Sequence, residues 1–326
     1  MRIGGPARAA RRHALIVRGA SYVIAAGLLW WLARNISVAS VGAAFARANW
    51  WLLLGACALS VSCWVIGEAL LYSRLISYFH RWTSFREMLP INAAQEFLQI
   101  VNKAAAGISL VVYMHRCKDV PWMSGGGTLI FMAFIDLLVI GMIAVLAALI
   151  APAALLGMPR WLPALLLGGL IAAAIVIRYG SAATPTGRWL GARPSLATFR
   201  RARAWHYGRL MALRAPTFLA QTLVLYLELR SFGLHAPLGY VFSFIPALTF
   251  LSSLPIAPGG IGPRQAATVL GLAAFGSKAD LLAMSLAHSF GSILFRIPLV
   301  LFTATYMRRV FPAQAARDAN QALAVR

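Results

Sequence analysis

Apolar runs of bilayer-crossing length recur along the whole chain, and nothing else in the sequence constrains the fold as much. They occupy residues 19–33, 50–72, 124–150, 164–177, 216–229 and 281–307. A transmembrane helix needs about 20 mostly apolar residues. Composition agrees: 60% of the 326 residues are apolar, 12% are charged, and the mean hydropathy is +0.75. A soluble domain is nearer half apolar and a quarter charged, so soluble and disordered classes are excluded. The expected fold is all-α, a polytopic helical membrane protein with about six full spans.

Two further apolar stretches are broken. Residues 88–101 and 104–114 are separated by Asn102 and Lys103; residues 237–254 and 265–275 are separated by PIAPGGIGP, 255–263. At 1.5 Å per residue, neither member of the first pair crosses about 30 Å of hydrocarbon, and the last piece is about half a membrane long. Each pair therefore reads as a re-entrant helical hairpin. An irregular tip is tolerated at depth only where protein or a wet cavity surrounds it.

The chain has 30 basic and 8 acidic residues, a net charge of +22. In a soluble protein this would point to nucleic acid, but no basic stretch sits inside a nucleic-acid fold. It reads as topology, because cytoplasmic loops of membrane proteins are rich in Arg and Lys. With the N-terminus cytoplasmic and both pairs as hairpins, the eight arginines of loop 178–214 (Arg178, Arg188, Arg193, Arg200, Arg201, Arg203, Arg209 and Arg214) fall on the cytoplasmic side. Only Arg34, Arg47, Arg160, Arg230 and Lys278 fall opposite. Both termini are then cytoplasmic, in a bacterial inner membrane. The stretch Arg200–Tyr207, with Trp205 and His206, suits either a topology signal or an interfacial helix on anionic lipid.

This orientation inverts one half of the chain against the other. Residues 1–312 are expected to form one domain, with halves at about 50–151 and 215–308 and a short tail at 313–326. Inverted repeats with broken helices at corresponding positions point to a transporter whose site lies near the midplane.

Charges inside lipid are costly and face a cavity or a partner. Glu68, Glu96, Lys103, Asp136, Glu228, Arg264 and Arg296 are the ones here. Asp136 and Arg296 lie about halfway along matching spans and are expected to pair and lock the halves; the same groups could serve a headgroup or a proton. Lys103 and Arg264 each stand at a hairpin break, just before a half-helix. A helix N-terminus attracts anions, and a cation there adds phosphate-binding capacity. Lys103, Arg264, Asn102, Gly259, Gly260, Gly262 and Glu96 are the candidate substrate-binding residues. Pro255, Pro258 and Pro263 shape the second tip. The alternative is that the two cations only neutralise Glu96 and Glu228. His288, with Ser285 and Ser289 nearby, reads as a packed histidine or a proton carrier. No catalytic constellation is visible, so no enzymatic activity is expected. Cys57, Cys63 and Cys117 show no metal spacing; no disulfide, metal or cofactor is expected.

The segment PIAPGGIGPRQAATVLGLAAFG resembles the lysylphosphatidylglycerol synthase transmembrane region, the flippase-like membrane family. Members read Pro-x-x-Pro-Gly-Gly-hydrophobic-Gly-x-Arg-Glu-Ala. This chain keeps Pro255, Pro258, Gly259, Gly260, Gly262, Arg264 and Ala266, and departs at Pro263 and Gln265. The first half is similar too, with Gly107, Met114-His115-Arg116 and Phe134-Ile135-Asp136-Leu137-Leu138; Asn102-Lys103-Ala104 replaces the usual Pro-Gly. The resemblance implies movement of lipid between leaflets. In fused relatives a soluble acyltransferase-like domain makes the aminoacyl lipid, and this chain is expected to lack it. The leading expectation is a lipid transporter for an anionic or phosphate-bearing lipid. The alternatives are a membrane-embedded transferase on a lipid-linked substrate and a non-catalytic partner of a separate lipid-modifying enzyme. Membrane lipids are the expected partners, and nucleic acid is not.

Overall fold

The computed structural model describes residues 36–101, 103–150, 159–180, 193–253 and 262–310, together with Gly27 and Arg34. Eleven α-helices run through them: α1 Val38–Arg47, α2 Trp50–Phe79, α3 Phe85–Val101, α4 Lys103–Lys118, α5 Trp122–Ile150, α6 Leu162–Tyr179, α7 Ala197–Arg201, α8 Ala204–Ser231, α9 Leu238–Ser253, α10 Pro263–Gly271 and α11 Lys278–Val310. There is no strand among the described residues. Helices α2, α5, α6, α8 and α11 include stretches long and apolar enough to cross a membrane. Such helices close their backbone hydrogen bonds internally, as hydrocarbon demands. The expected first span, 19–33, lies outside the described residues apart from Gly27.

Helices α2 and α8 form the central antiparallel pair. Asn49, the N-cap of α2, accepts from Leu52 N–H at 3.2 Å and donates its own N–H to Ser231 O at 2.7 Å. Further along, Ser60 Oγ meets Gln221 Oε1 at 3.4 Å. Gly67 then passes so close to Thr217 that an added Cβ would overlap its hydroxyl. One register therefore runs from the start of α2 at the end of α8 to their crossing near Gly67.

Each half sends out a hairpin. In the first, Glu87 near the start of α3 meets Tyr113 Oη at 2.6 Å and Lys118 Nζ at 2.9 Å on α4, while Gln95 Nε2 donates to Ala106 O at 2.9 Å. Helices α3 and α4 are thus antiparallel. In the second, Tyr240 Oη near the start of α9 donates to Gly271 O at the end of α10, 2.7 Å. The first hairpin follows the C-terminal end of α2 and the second that of α8. Because α2 and α8 are antiparallel, the hairpins enter the bundle from opposite ends.

Packing repeats under exchange of the halves. Helix α3 packs on α11, and its counterpart α9 packs on α5; α2 packs on α11, and α8 packs on α5. Each hairpin also packs within its own half, as α2–α3 and α4–α5 and as α8–α9 and α10–α11. An inverted repeat requires this reciprocity.

Two expected placements are corrected. Arg214 does not lie in the basic loop. Helix α8 begins at Ala204 and continues through Pro216, so Arg214 is a helical residue 1% exposed. A proline inside a buried helix is tolerated where neighbours satisfy the freed carbonyl. Asp136 does not pair with Arg296. Arg214 Nε donates to Asp136 Oδ1 at 2.7 Å and Nη2 to Oδ2 at 3.2 Å, with Glu68 Oε1 at 3.4 Å from Nη2. Arg296 pairs instead with Glu96 at 2.9 Å. The reason is the reciprocal packing: α5 faces α8, and α11 faces α3. The guanidinium also lies 4.5 Å from the Trp64 ring and 5.1 Å from that of Phe218, contacts that favour a desolvated arginine.

Beyond α2, His80 Nε2 meets Thr128 Oγ1 at 2.7 Å, and Thr128 meets Thr198 Oγ1 at 3.2 Å. This clasp joins the ends of α2 and α5 to α7. Burial, and secondarily the charge of Arg201, holds the His80 pKa below the usual histidine range.

Removing Arg214 strands the buried carboxylate of Glu68 and the half-buried one of Asp136. Arg214→Leu is expected to destabilise the protein by about 3–5 kcal/mol, and combining it with Glu68→Gln and Asp136→Asn to recover most of that loss. Unfolding in detergent followed by tryptophan fluorescence reads both. For His80, whose folded pKa is depressed, the stabilising contribution is present above its unfolded pKa and lost as pH falls through the folded one. Thermal stability is therefore expected to drop between pH 7 and 5, with a smaller drop in His80→Gln.

Candidate functional site

The second hairpin places a half-buried cation, Arg264, in the first turn of α10. Gly262 has φ 109°, a region that side chains avoid, and Pro263 takes the first helical turn, where its missing N–H costs nothing. Gln265 Oε1 accepts from Gly262 N–H at 2.6 Å, the reciprocal half of a capping box. Its amide donates to Ser289 Oγ on α11 at 3.2 Å. The residue that departs from the family pattern thus caps α10 without adding charge.

Arg264 projects from this first turn. Its Nη2 lies 3.9 Å from Glu228 Oε2 on α8, with the arginine side chain 19% exposed and the carboxylate 1%. That separation is an ion pair beyond hydrogen-bond length. Arg264 Nε is buried with no hydrogen-bond partner. Glu228 Oε1 instead meets His288 Nδ1 on α11, and Ser292 Oγ lies 3.3 Å from His288 Nε2. Cys57 Sγ from α2 completes the cluster: the donor atoms of Cys57, Glu228 and His288 lie within 4.8 Å of one another, and all three residues are buried. This is the set that could hold a metal ion. Sequence spacing did not reveal it, because the three residues sit on three helices far apart in the chain.

Arg296 repeats the arrangement on α11. Its side chain is 24% exposed over Glu96 at 1%, Gln99 Nε2 donates to Glu96 Oε1 at 2.9 Å, and Arg296 Nε is buried without a partner. Glu96 is therefore sealed beneath its arginine rather than presented to a ligand. Arg264 and Arg296 each point more toward open space than the carboxylate behind them. By contrast, Arg214 and Glu68 are both almost fully enclosed.

The remaining candidates divide simply. Pro263 and Gly262 shape the start of α10, as above. Lys103 begins α4, at the break of the first hairpin. Asn102, Pro255, Pro258, Gly259 and Gly260 lie outside the described residues. Arg214 was missed as a buried charge because Pro216 marks a natural helix start; the apolar Leu210, Met211 and Leu213 before it were the available signal.

No curated protein matches the chain. The family model described as the lysylphosphatidylglycerol synthase TM region matches residues 19–301, which include both hairpins, all of the first half, most of the second and every charged cluster above. The chain therefore belongs to the lysylphosphatidylglycerol synthase TM region family, and is a membrane protein of a family associated with lipid modification or translocation.

Proposed function

We propose that this protein moves an anionic or phosphate-bearing lipid between leaflets of the bacterial cytoplasmic membrane, with Arg264 holding the headgroup. The observation that carries the reading is the state of Arg264. It stands at the N-terminus of α10, where free N–H groups and the helix dipole favour an anion. Its contact with Glu228 is longer than a hydrogen bond, and its Nε has no partner. Guanidinium donors held in this way match a phosphate or carboxylate better than a point charge does.

The surrounding fold supports the same reading. Two hairpins entering from opposite ends give a route from either face, and Lys103 occupies at the first tip the place that Arg264 takes after the second. Glu96 and Glu228 lower the cost of holding Arg296 and Arg264 in an apolar setting without occupying the ligand's position. The chain itself performs no chemistry on the lipid; a separate lipid-modifying enzyme supplies or consumes it. Both termini lie on the cytoplasmic side.

Reconstituted protein is expected to move fluorescently labelled phosphatidylglycerol from the outer to the inner leaflet faster than protein-free vesicles do, measured by dithionite quenching. Arg264→Ala is expected to slow this at least about tenfold, the loss of one charge-assisted hydrogen bond. Arg264→Lys should retain part of the rate. Equal rates for Arg264→Ala and wild type would remove this residue from the mechanism; no movement of any labelled lipid would overturn the function.

A further inference from the structure

We propose that Cys57, Glu228 and His288 form a binding site for a zinc-class divalent cation, which ties α2 of the first half to α8 and α11 of the second. One sulfur, one carboxylate oxygen and one imidazole nitrogen converge from three helices, all buried and within 4.8 Å of one another. Glu228 Oε1 and His288 Nδ1 are in direct hydrogen-bond contact, closer than adjacent donors on a tetrahedral ion of this class, whose bonds are about 2.0–2.3 Å. An ion entering the cluster replaces that hydrogen bond and spreads these two donors while Cys57 Sγ supplies the third bond.

The packing around each donor turns one donor atom toward the other two. Gly291 stands opposite Cys57, and a Cβ there would come within 2.6 Å of Sγ; the missing side chain provides the space the sulfur fills. His288 has Nε2 against Ser292 Oγ at 3.3 Å, so Nδ1 faces the other donors. Glu228 turns Oε2 toward Arg264 and Oε1 toward His288. Metal ligands are oriented by such outer contacts.

Donor chemistry selects the ion. Thiolate and imidazole suit zinc, cobalt or a similar borderline ion, whereas magnesium and calcium require oxygen. Three protein donors leave one position open in a tetrahedral site. Charge also balances: the thiolate and Glu228 offset the two charges of the ion, and Arg264 then stands beside a neutral centre. Binding breaks the Cys57 S–H bond, releases that proton to the buffer and forms a sulfur–metal bond, with no change of oxidation state. The carboxylate pair Glu68 and Asp136 on Arg214 has no sulfur or imidazole donor and a guanidinium already bonded within it.

The test needs no lipid, so its outcome is independent of the transport reading. Detergent-purified protein stripped with chelator is titrated with zinc and with cobalt(II). One ion per chain, one proton released per zinc and a near-ultraviolet thiolate-to-cobalt band are expected. Cys57→Ser should abolish the band and lower zinc affinity at least about 100-fold, more than typical for an outer-shell residue. His288→Gln should weaken zinc while keeping the sulfur band at high cobalt. Cys63→Ser, on the same helix but outside the cluster, should change neither. Stripped wild-type protein that binds no zinc, or binds cobalt without a thiolate band, overturns the site whether or not the variants fold.

Discussion

Arg214 lies where α2 and α8 cross, and the docking of the two halves turns on how its charge is met. Lipid supplies no counter-charge, so the guanidinium must find one inside the bundle. It finds two, Asp136 on α5 and Glu68 on α2, and those bonds fix the rotation of three helices at once. The close passage of Gly67 by Thr217 lets the backbones approach near this point, the usual means of helix association where lipid is as apolar as the helix face. Once α2 and α8 are antiparallel and in register, the hairpins that follow them must enter from opposite ends. The inverted architecture is therefore a consequence of one interface.

The buried charges differ in how completely they are satisfied. Arg214 bonds bidentately to Asp136 and is sealed under Trp64 and Phe218. Arg296 makes one short contact, to Glu96. Arg264 makes only a long one. A buried guanidinium loses several kcal/mol in desolvation, recovered only with good partners. A cation left short of partners is tolerated where it meets water or a ligand. This gradient, rather than the mere presence of charge in an apolar segment, separates the group that holds the bundle together from the group proposed to bind an anion.

Much of this was legible in the sequence. Run length and hydropathy located the five described helices long enough to cross a membrane, and the breaks in the two shorter pairs fall between separate helices, α3 and α4, α9 and α10. The arginine count by side led to an inverted relation of the halves as an expectation, and the reciprocal packing of the helices agrees with it. What failed was pairing. Asp136 and Arg296 occupy similar depths, and depth is all a linear pattern reports; the partner of each is set by which helix faces which. Arg214 was misplaced for a related reason, since Pro216 looks like a helix start and only the packed neighbours of α8 carry the helix back to Ala204. The convergence of Cys57, Glu228 and His288 had no local signature at all.

The two halves are related in topology but not in chemistry. Counterparts share their packing partners, yet both partly open arginines, Arg264 and Arg296, come from the second half, and their carboxylates Glu228 and Glu96 come one from each. The second hairpin is built on Gly262, Pro263 and a cap from Gln265; the first has Asn102-Lys103-Ala104 at the same place. A glutamate at position 265 would bring a second negative charge into the first turn with Arg264 and compete with any anion there. The neutral amide makes the same hydrogen bond to Gly262 and leaves the guanidinium's charge to Glu228 and a ligand. On the reading proposed above, the departure from the family pattern keeps the first turn of α10 free of added negative charge and would favour an anion beside Arg264.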